Sequence, residues 1–390
     1  MKATLCCFTG FKALNGSNLR TYFVAKDFVK RGYDLNCITP NANDAQTCVD
    51  RFGVEDSKHV GLDINRFKKS RLKLYPLFAM KASRMIKDCD FVFGQSLPSA
   101  LAIKLSNTKG KKMVDYCDLW SEYWLYANPN AKGRLIYTAV RNAEGFSTKG
   151  IDVLFTITKK LKEMMVERGS DESKINIIRD GVDLKMFNKK KVSNEFYDKY
   201  NLEKNNDYVV YQGGIGVHDG VQFLLNSAPT VLKDNPNAKF LIVGTGAHLK
   251  ELKKQAVRLG LGKSTIFTGW VNYEDMPQFM NLAKINAVPL PDSPATQGVV
   301  TYKLMEAMAC GTPTIIGDLP GVREAVKHKH TAYLVRSEDR LKLAEGINQL
   351  LNNKTLYSKI SKDGLKLIKN HDWRDIAKDM VDVMEKSVNS

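Results

Sequence analysis

Short apolar runs alternate with stretches of helical periodicity from one end of the chain to the other, and this alternation sets the first structural expectation. In the first half, the runs at 4–8, 34–39, 91–94, 112–115, 153–156 and 175–178 predict strands, with helical patterns at 19–31, 99–106 and 159–168. The second half repeats the style, with strands predicted at 208–212, 239–244, 265–268, 285–289 and 314–316. Its helical patterns fall at 220–233, 247–259, 274–282, 302–309 and 340–351. Strand, helix, strand with short connections implies parallel sheets joined by crossovers, so each half reads as a Rossmann-like α/β unit. The polar, aperiodic stretch 187–193 is the expected linker, which gives domains 1–188 and 189–370. The remaining segment, 371–390, begins His371-Asp372-Trp373 and predicts an amphipathic helix that Asp372 can cap.

Composition excludes several alternatives. The chain has 390 residues, 43% of them apolar and 26% charged, which is material for two cores and not for a disordered or fibrous protein. Seven cysteines, an odd number scattered without a CxxC pair, read as reduced core residues and not as a zinc or redox centre. The N-terminal apolar run is too short for a signal peptide and no stretch of about 18 apolar residues occurs, so a cytoplasmic location is expected.

The net charge of +17 is unevenly spread. Residues 1–190 hold 33 Lys and Arg against 20 Asp and Glu, whereas the rest hold 26 against 22. The densest cluster is Arg66, Lys68, Lys69, Arg71 and Lys73, interleaved with Phe67, Leu72, Leu74 and Tyr75. It reads either as a solvated face or as contact with an anionic membrane surface or a phosphate-bearing acceptor. A basic nucleic-acid-binding protein is a further reading, but no nucleic-acid module is recognisable, so no nucleic-acid partner is expected.

The stretch richest in chemistry is Gly298-Val299-Val300-Thr301-Tyr302-Lys303-Leu304-Met305-Glu306-Ala307-Met308-Ala309-Cys310-Gly311-Thr312-Pro313. A glycine-bearing loop that opens a helix offers unpaired N–H groups and the positive end of a macrodipole to a phosphate. Lys303 and Glu306 lie one turn apart on that helix, which suits one cation for phosphate and one carboxylate for sugar hydroxyls. An exposed ion pair on a surface helix is the plain alternative. Gly244-Thr245-Gly246 lacks the third glycine and the acidic residue of a dinucleotide fingerprint, and no Walker or HExxH motif occurs.

Lys303 to Pro313, preceded by Leu290-Pro291-Asp292-Ser293 and followed by Gly317 and Glu324, resembles the donor-site signature of retaining GT-B glycosyltransferases of family 4, the glycosyl transferases group 1. Further stretches resemble the family in order and spacing. They are Gly16-Ser17-Asn18, Ile178-Arg179-Asp180-Gly181-Val182-Asp183, Tyr211-Gln212-Gly213-Gly214, Ile242-Val243-Gly244-Thr245-Gly246 and Phe267-Thr268-Gly269.

The resemblance implies two Rossmann-like domains facing a cleft, with a C-terminal helix crossing back to the first. It implies a metal-independent hexosyltransferase, without cofactor, that moves sugar from a nucleoside-diphosphate sugar to a glycan or lipid-linked acceptor, possible at a membrane as a peripheral protein. By matching positions, Glu306 would hold the ribose, and Val299, Val300 and Thr301 would offer N–H groups to the diphosphate. Trp270 and Val271 would lie by the base, with Gly16, Gly214 and Gly298 among the donor-binding positions and Lys303 placed as a catalytic cation.

Three positions depart from the family pattern. A common first carboxylate falls on Gly298, so that contact is missing or moved to Gln297 or Asp292, and the usual diphosphate-neutralising Arg and Lys fall on Gly214 and Asp219. Phosphate charge is then left to backbone groups, Lys303 or another cation such as Arg179. In the first half, Val114-Asp115-Tyr116-Cys117-Asp118-Leu119-Trp120 resembles the region where members place a catalytic His or Asp, which makes Asp118 a catalytic candidate beside its reading as a loop turn or helix cap. A nucleotide-sugar epimerase or a phosphorylase on the same scaffold is the alternative function.

Overall fold

The computed structural model describes residues 1–10, 18–54, 57–62 and 74–389. Gly16 and the basic cluster at 66–73 therefore lie outside the described residues. The chain divides into two compact units, Met1–Asp180 with Trp373–Ser390, and Gly181–Asp372.

Among the described residues, the first unit is built on seven parallel strands. They are β1 (Lys2–Cys6), β2 (Asp34–Thr39), β3 (Ser57–His59), β4 (Phe91–Gln95), β5 (Lys111–Tyr116), β6 (Val153–Thr156) and β7 (Ile175–Ile177), in the order β3-β2-β1-β4-β5-β6-β7. The strands are nearly continuous apolar runs because helices cover both faces, as parallel sheets require. Phe91, Val92, Phe93, Val114, Leu154 and Phe155 are all fully buried. Charged groups also enter this interior, Arg20, Asp115, Glu144 and Asp180 among them. The Arg20 guanidinium is 0% exposed; its Nε donates to Asp115 Oδ2 at 2.9 Å and its Nη1 to Asp180 Oδ1 at 3.3 Å. The carbonyls of Arg179 and Ile178 accept from its Nη1 at 3.2 Å and its Nη2 at 2.9 Å.

The last helix, Trp373–Asn389, belongs to this unit. Trp373 is buried and stacks on Phe23 of the Leu19–Lys30 helix, centroids 6.0 Å apart. Arg31, just past that helix, reaches Asp382 at 2.7 Å and Glu385 at 2.9 Å.

The second unit carries six parallel strands: β8 (Asp207–Gln212), β9 (Ala238–Val243), β10 (Thr265–Gly269), β11 (Ile285–Val288), β12 (Thr314–Gly317) and β13 (Tyr333–Val335), ordered β10-β9-β8-β11-β12-β13. It begins at Gly181 and not at 189, because the Val182 N–H donates to the His371 carbonyl at 2.9 Å and Phe187 is fully buried against Tyr273. In both sheets the strand order reverses once, at β1/β4 and at β8/β11. Ligands of open α/β sheets bind outside the carboxyl ends of the strands at such a point.

The elements that periodicity does not predict include the helices Leu74–Met85, Trp120–Ala127, Asn194–Tyr200, Pro320–Ala325 and Lys354–Ile368, together with short edge strands and polar helices. β3 and β13 are three-residue edge strands, too short to alternate visibly. The helices Ala42–Phe52 and Ala131–Thr148 are polar over much of their length; the latter buries Glu144, Ser147 and Thr148 beside Val140.

Candidate functional site

In the second unit, the switch point lies between the carboxyl ends of β8 and β11. The first end carries Gln212 into the loop Gly213-Gly214. The second leads through residues 289–301 into the helix Tyr302–Ala309. Thr301 caps that helix, its side chain accepting from the Lys303 N–H at 3.0 Å, and the helix stops where Gly311 turns left-handed at φ +74° ahead of Pro313. Leu304, Met305, Ala307, Met308 and Ala309 are buried, so the helix is held by packing on nearly every side.

Glu306 sits in the middle of this apolar helix and is only 5% exposed. Its Oε2 accepts from Gln212 Nε2 at 2.8 Å and its Oε1 from Tyr273 Oη at 2.6 Å. Each oxygen keeps a lone pair for a further donor. Burial pushes this carboxyl up to about 7, against the lowering effect of its bonds to Tyr273 and Gln212 and of the Lys303 charge. Burial and the Glu306 charge in turn push the Tyr273 phenol well above its ordinary value, so it remains a donor.

Lys303 does not pair with Glu306. Its Nζ donates to Asp219 Oδ1 at 2.7 Å and to Tyr211 Oη at 2.9 Å, and it lies 4.8 Å from the centre of the Tyr211 ring. The Tyr211 hydroxyl donates to the Gly214 carbonyl, and Asp219 Oδ2 accepts from the Gly216 N–H at 2.8 Å. The lysine is thus tied to the Gly213–Gly216 loop. Two glycines make the approach possible. A Cβ on Gly213, at φ +119°, would stand 2.6 Å from Lys303 Cε, and one on Gly244, at φ +129°, would stand 1.9 Å from the Gly213 carbonyl oxygen.

The other sequence-derived positions fall into place unevenly. Gly214 is exposed, and a Cβ there would meet nothing within 4 Å. Trp270 is 67% exposed just past β10, while Val271 packs against the core. The Val299 N–H is already taken by the Thr296 carbonyl at 3.3 Å, because the chain turns at Gly298. Among the described residues, the N–H groups of Val300 and Thr301 have no intramolecular partner. Gln297 and Asp292, the two replacements for a carboxylate at 298, hold each other at 3.0 Å.

In the first unit, Asp118 lies just beyond β5 and is partly buried. Burial pushes its carboxyl up to about 7, the Glu144 and Asp115 charges add to this, and a hydrogen bond with Trp120 opposes it. Such a carboxyl can hold or give up a proton near neutral pH. Arg179 is an exposed residue of this same unit.

Gln212, Tyr211 and Tyr273 join the site without having been expected there from the sequence. Gln212 has a signal, since a polar amide ending an otherwise apolar strand needs a buried partner. Tyr273 has none, standing 33 residues before the carboxylate it binds.

Comparison with known proteins bears on the family and the fold. The model of the glycosyl transferases group 1 matches residues 192–385, and that of glycosyltransferase family 4 matches residues 14–186. An uncharacterized glycosyltransferase of Methanocaldococcus jannaschii is 25% identical over 63% of this chain and 63% of its own length. A GDP-mannose-dependent alpha-(1-6)-phosphatidylinositol monomannoside mannosyltransferase of Mycobacterium tuberculosis is 27% identical over 52% of this chain and 53% of its own length. The matched stretches thus span less than two thirds of either relative. Among solved structures, Anabaena HepE in complex with UDP and glucose superposes with a TM-score of 0.75 at 17% identity, covering 99% of both chains. The chain belongs to the group 1 and family 4 glycosyltransferases and has the two-domain α/β fold termed GT-B.

The Glu306 environment has a measurable consequence. Between the ordinary glutamate value of ~4.3 and about 7, the folded chain holds a proton that the unfolded chain has released, so this group lowers stability as pH rises through that window. Glu306→Gln removes the titration. The stability difference between variant and parent should shift in the variant's favour from pH ~5 to pH ~7, by up to about 1.4 kcal/mol per pH unit in denaturant unfolding. Parallel pH profiles would contradict the buried-carboxyl assignment.

Proposed function

We propose that the chain transfers a sugar from a nucleoside-diphosphate sugar to an acceptor hydroxyl, with retention at the anomeric carbon and without a metal ion. The observation that carries this reading is the buried Glu306 carboxylate, bonded on both oxygens, one turn from Lys303 at the carboxyl ends of β8 and β11. A carboxylate with spare lone pairs suits ribose hydroxyls. A lysine beside the unpaired N–H groups of Val300 and Thr301 suits phosphate oxygens. Exposed Trp270 supplies a face on which a base can stack.

In the proposed reaction, the bond between the anomeric carbon and the diphosphate oxygen breaks, and that carbon joins the acceptor oxygen. The departing phosphate takes the acceptor's proton. The paired carboxylates of a glycoside hydrolase are then not required. Asp118, titrating near neutrality, is the first unit's candidate to orient a sugar or acceptor hydroxyl.

A hexose donor and a lipid-linked acceptor are the favoured classes, because the mycobacterial relative is described as using GDP-mannose on a phosphatidylinositol mannoside. The basic surplus of residues 1–190 supports contact with an anionic membrane surface. Among the described residues no helix is long and apolar enough to cross a membrane.

Three experiments test this reading. Glu306→Ala should weaken nucleotide-sugar binding by about 1.5 to 3 kcal/mol in calorimetry with the fold intact, as expected for a lost charged hydrogen bond. Lys303→Ala should weaken nucleoside diphosphate binding and leave that of the bare nucleoside nearly unchanged; equal losses for both would make the lysine structural. For the membrane, the chain should co-sediment with anionic vesicles at low salt, and Lys68, Lys69 and Arg71 changed to Glu should release it without altering donor binding. Indifference of the parent chain to such vesicles at low salt would remove the membrane from the account.

A further inference from the structure

Just past the Gly213–Gly216 loop stands a charge that opposes a diphosphate bound beside Lys303. Asp219 is buried and its carboxylate is 2.7 Å from the Lys303 ammonium, while Gly214 leaves open space beside it. Burial alone would raise the Asp219 carboxyl, but the Lys303 ammonium and the Gly216 N–H hold it below the usual carboxylate range, so it is charged at neutral pH. His218 stands 3.6 Å away, and burial keeps it below its ordinary value, so its ring adds no compensating charge there. Lys303 and Asp219 therefore cancel, and with the Gly213, Ile215 and Gly216 N–H groups already bonded, the loop carries no net side-chain charge toward a diphosphate.

We propose that Asp219 tunes this site for release of the product, by neutralising Lys303 and repelling the extra charge that a free nucleoside diphosphate carries over the nucleotide sugar. The inference rests on the donor-site reading given above. When the sugar leaves, the terminal phosphate keeps the bridging oxygen and the acceptor's proton. That proton then passes to solvent, since the second ionisation of a phosphate lies near pH ~6, and the bound anion gains one negative charge. A fixed carboxylate nearby penalises that added charge more than it penalises the donor. A cradle with uncompensated cations would instead grip the product more tightly than the substrate.

The test is calorimetric titration of the parent chain and Asp219→Asn with UDP and GDP, and with UDP-glucose and GDP-mannose. The asparagine keeps the size of the side chain and can still accept from the Gly216 N–H. The diphosphate that binds the parent should bind the variant roughly tenfold tighter, an excess that shrinks with added salt, while its nucleotide sugar tightens less. Equal or weaker diphosphate binding by a folded variant would overturn the proposal and leave Asp219 a holder of Lys303 and of the turn. Gly214→Lys adds a cation by a separate route, into space where a Cβ meets nothing. It too should favour diphosphate over nucleotide sugar, and an unchanged ratio would count equally against the proposal. If the parent's binding falls in Glu306→Ala but not in the predicted direction for Asp219→Asn, only this inference fails. If the parent binds none of the four ligands, the donor-site reading fails with it.

Discussion

A carboxylate buried in an apolar helix must be given hydrogen bonds or lose its charge, and the architecture of the second unit around Glu306 follows from that requirement. Gln212 reaches it from the end of β8 and Tyr273 from the segment after β10. Both donors are available because the strands are parallel and end on one side of the sheet, where the β8/β11 reversal leaves room for the Tyr302–Ala309 helix to start. Lys303 is then one turn nearer the helix N-terminus, close enough to the Gly213–Gly216 loop to be bound there, but only because Gly213 has no side chain.

The first unit solves a related problem with the charges exchanged. Its buried cation, Arg20, is met by Asp115 from the end of β5, by Asp180 and by two carbonyls from the segment after β7. Removing one partner from such a cluster is costly, because it strands a charge away from water. In both units, then, buried charged groups at the carboxyl ends of parallel strands are held by hydrogen bonds from neighbouring elements. Asp118, just past β5, is carried by a strand end anchored in this way.

The long apolar strands are legible in the amino-acid sequence, because a doubly covered parallel strand is a continuous hydrophobic run; β8, expected at 208–212, spans Asp207–Gln212. The helix that carries Lys303 and Glu306 is legible too, with its glycine stop and proline. The partners are not. Gln212 stands 94 residues from Glu306, and no local periodicity links them. Asp219 is visible as an acidic residue at a position expected to be basic, but its pairing with Lys303 is a fact of the fold. The polar helix Ala131–Thr148 escapes for a different reason. Its buried face carries Glu144, Ser147 and Thr148, which bond to neighbouring side chains and to the helix backbone, so burial there is not hydrophobic in pattern.

The central claim is that the Gly213–Gly216 loop and the start of the Tyr302–Ala309 helix bind the nucleoside diphosphate group. Amide hydrogen exchange of the full chain, with and without saturating UDP or GDP, addresses it residue by residue. The account predicts that the nucleotide which binds slows exchange at Gly214, Val300 and Thr301, the N–H groups placed to meet phosphate oxygens, with smaller changes near Trp270. Binding that leaves those amides untouched and protects another part of the chain would contradict it.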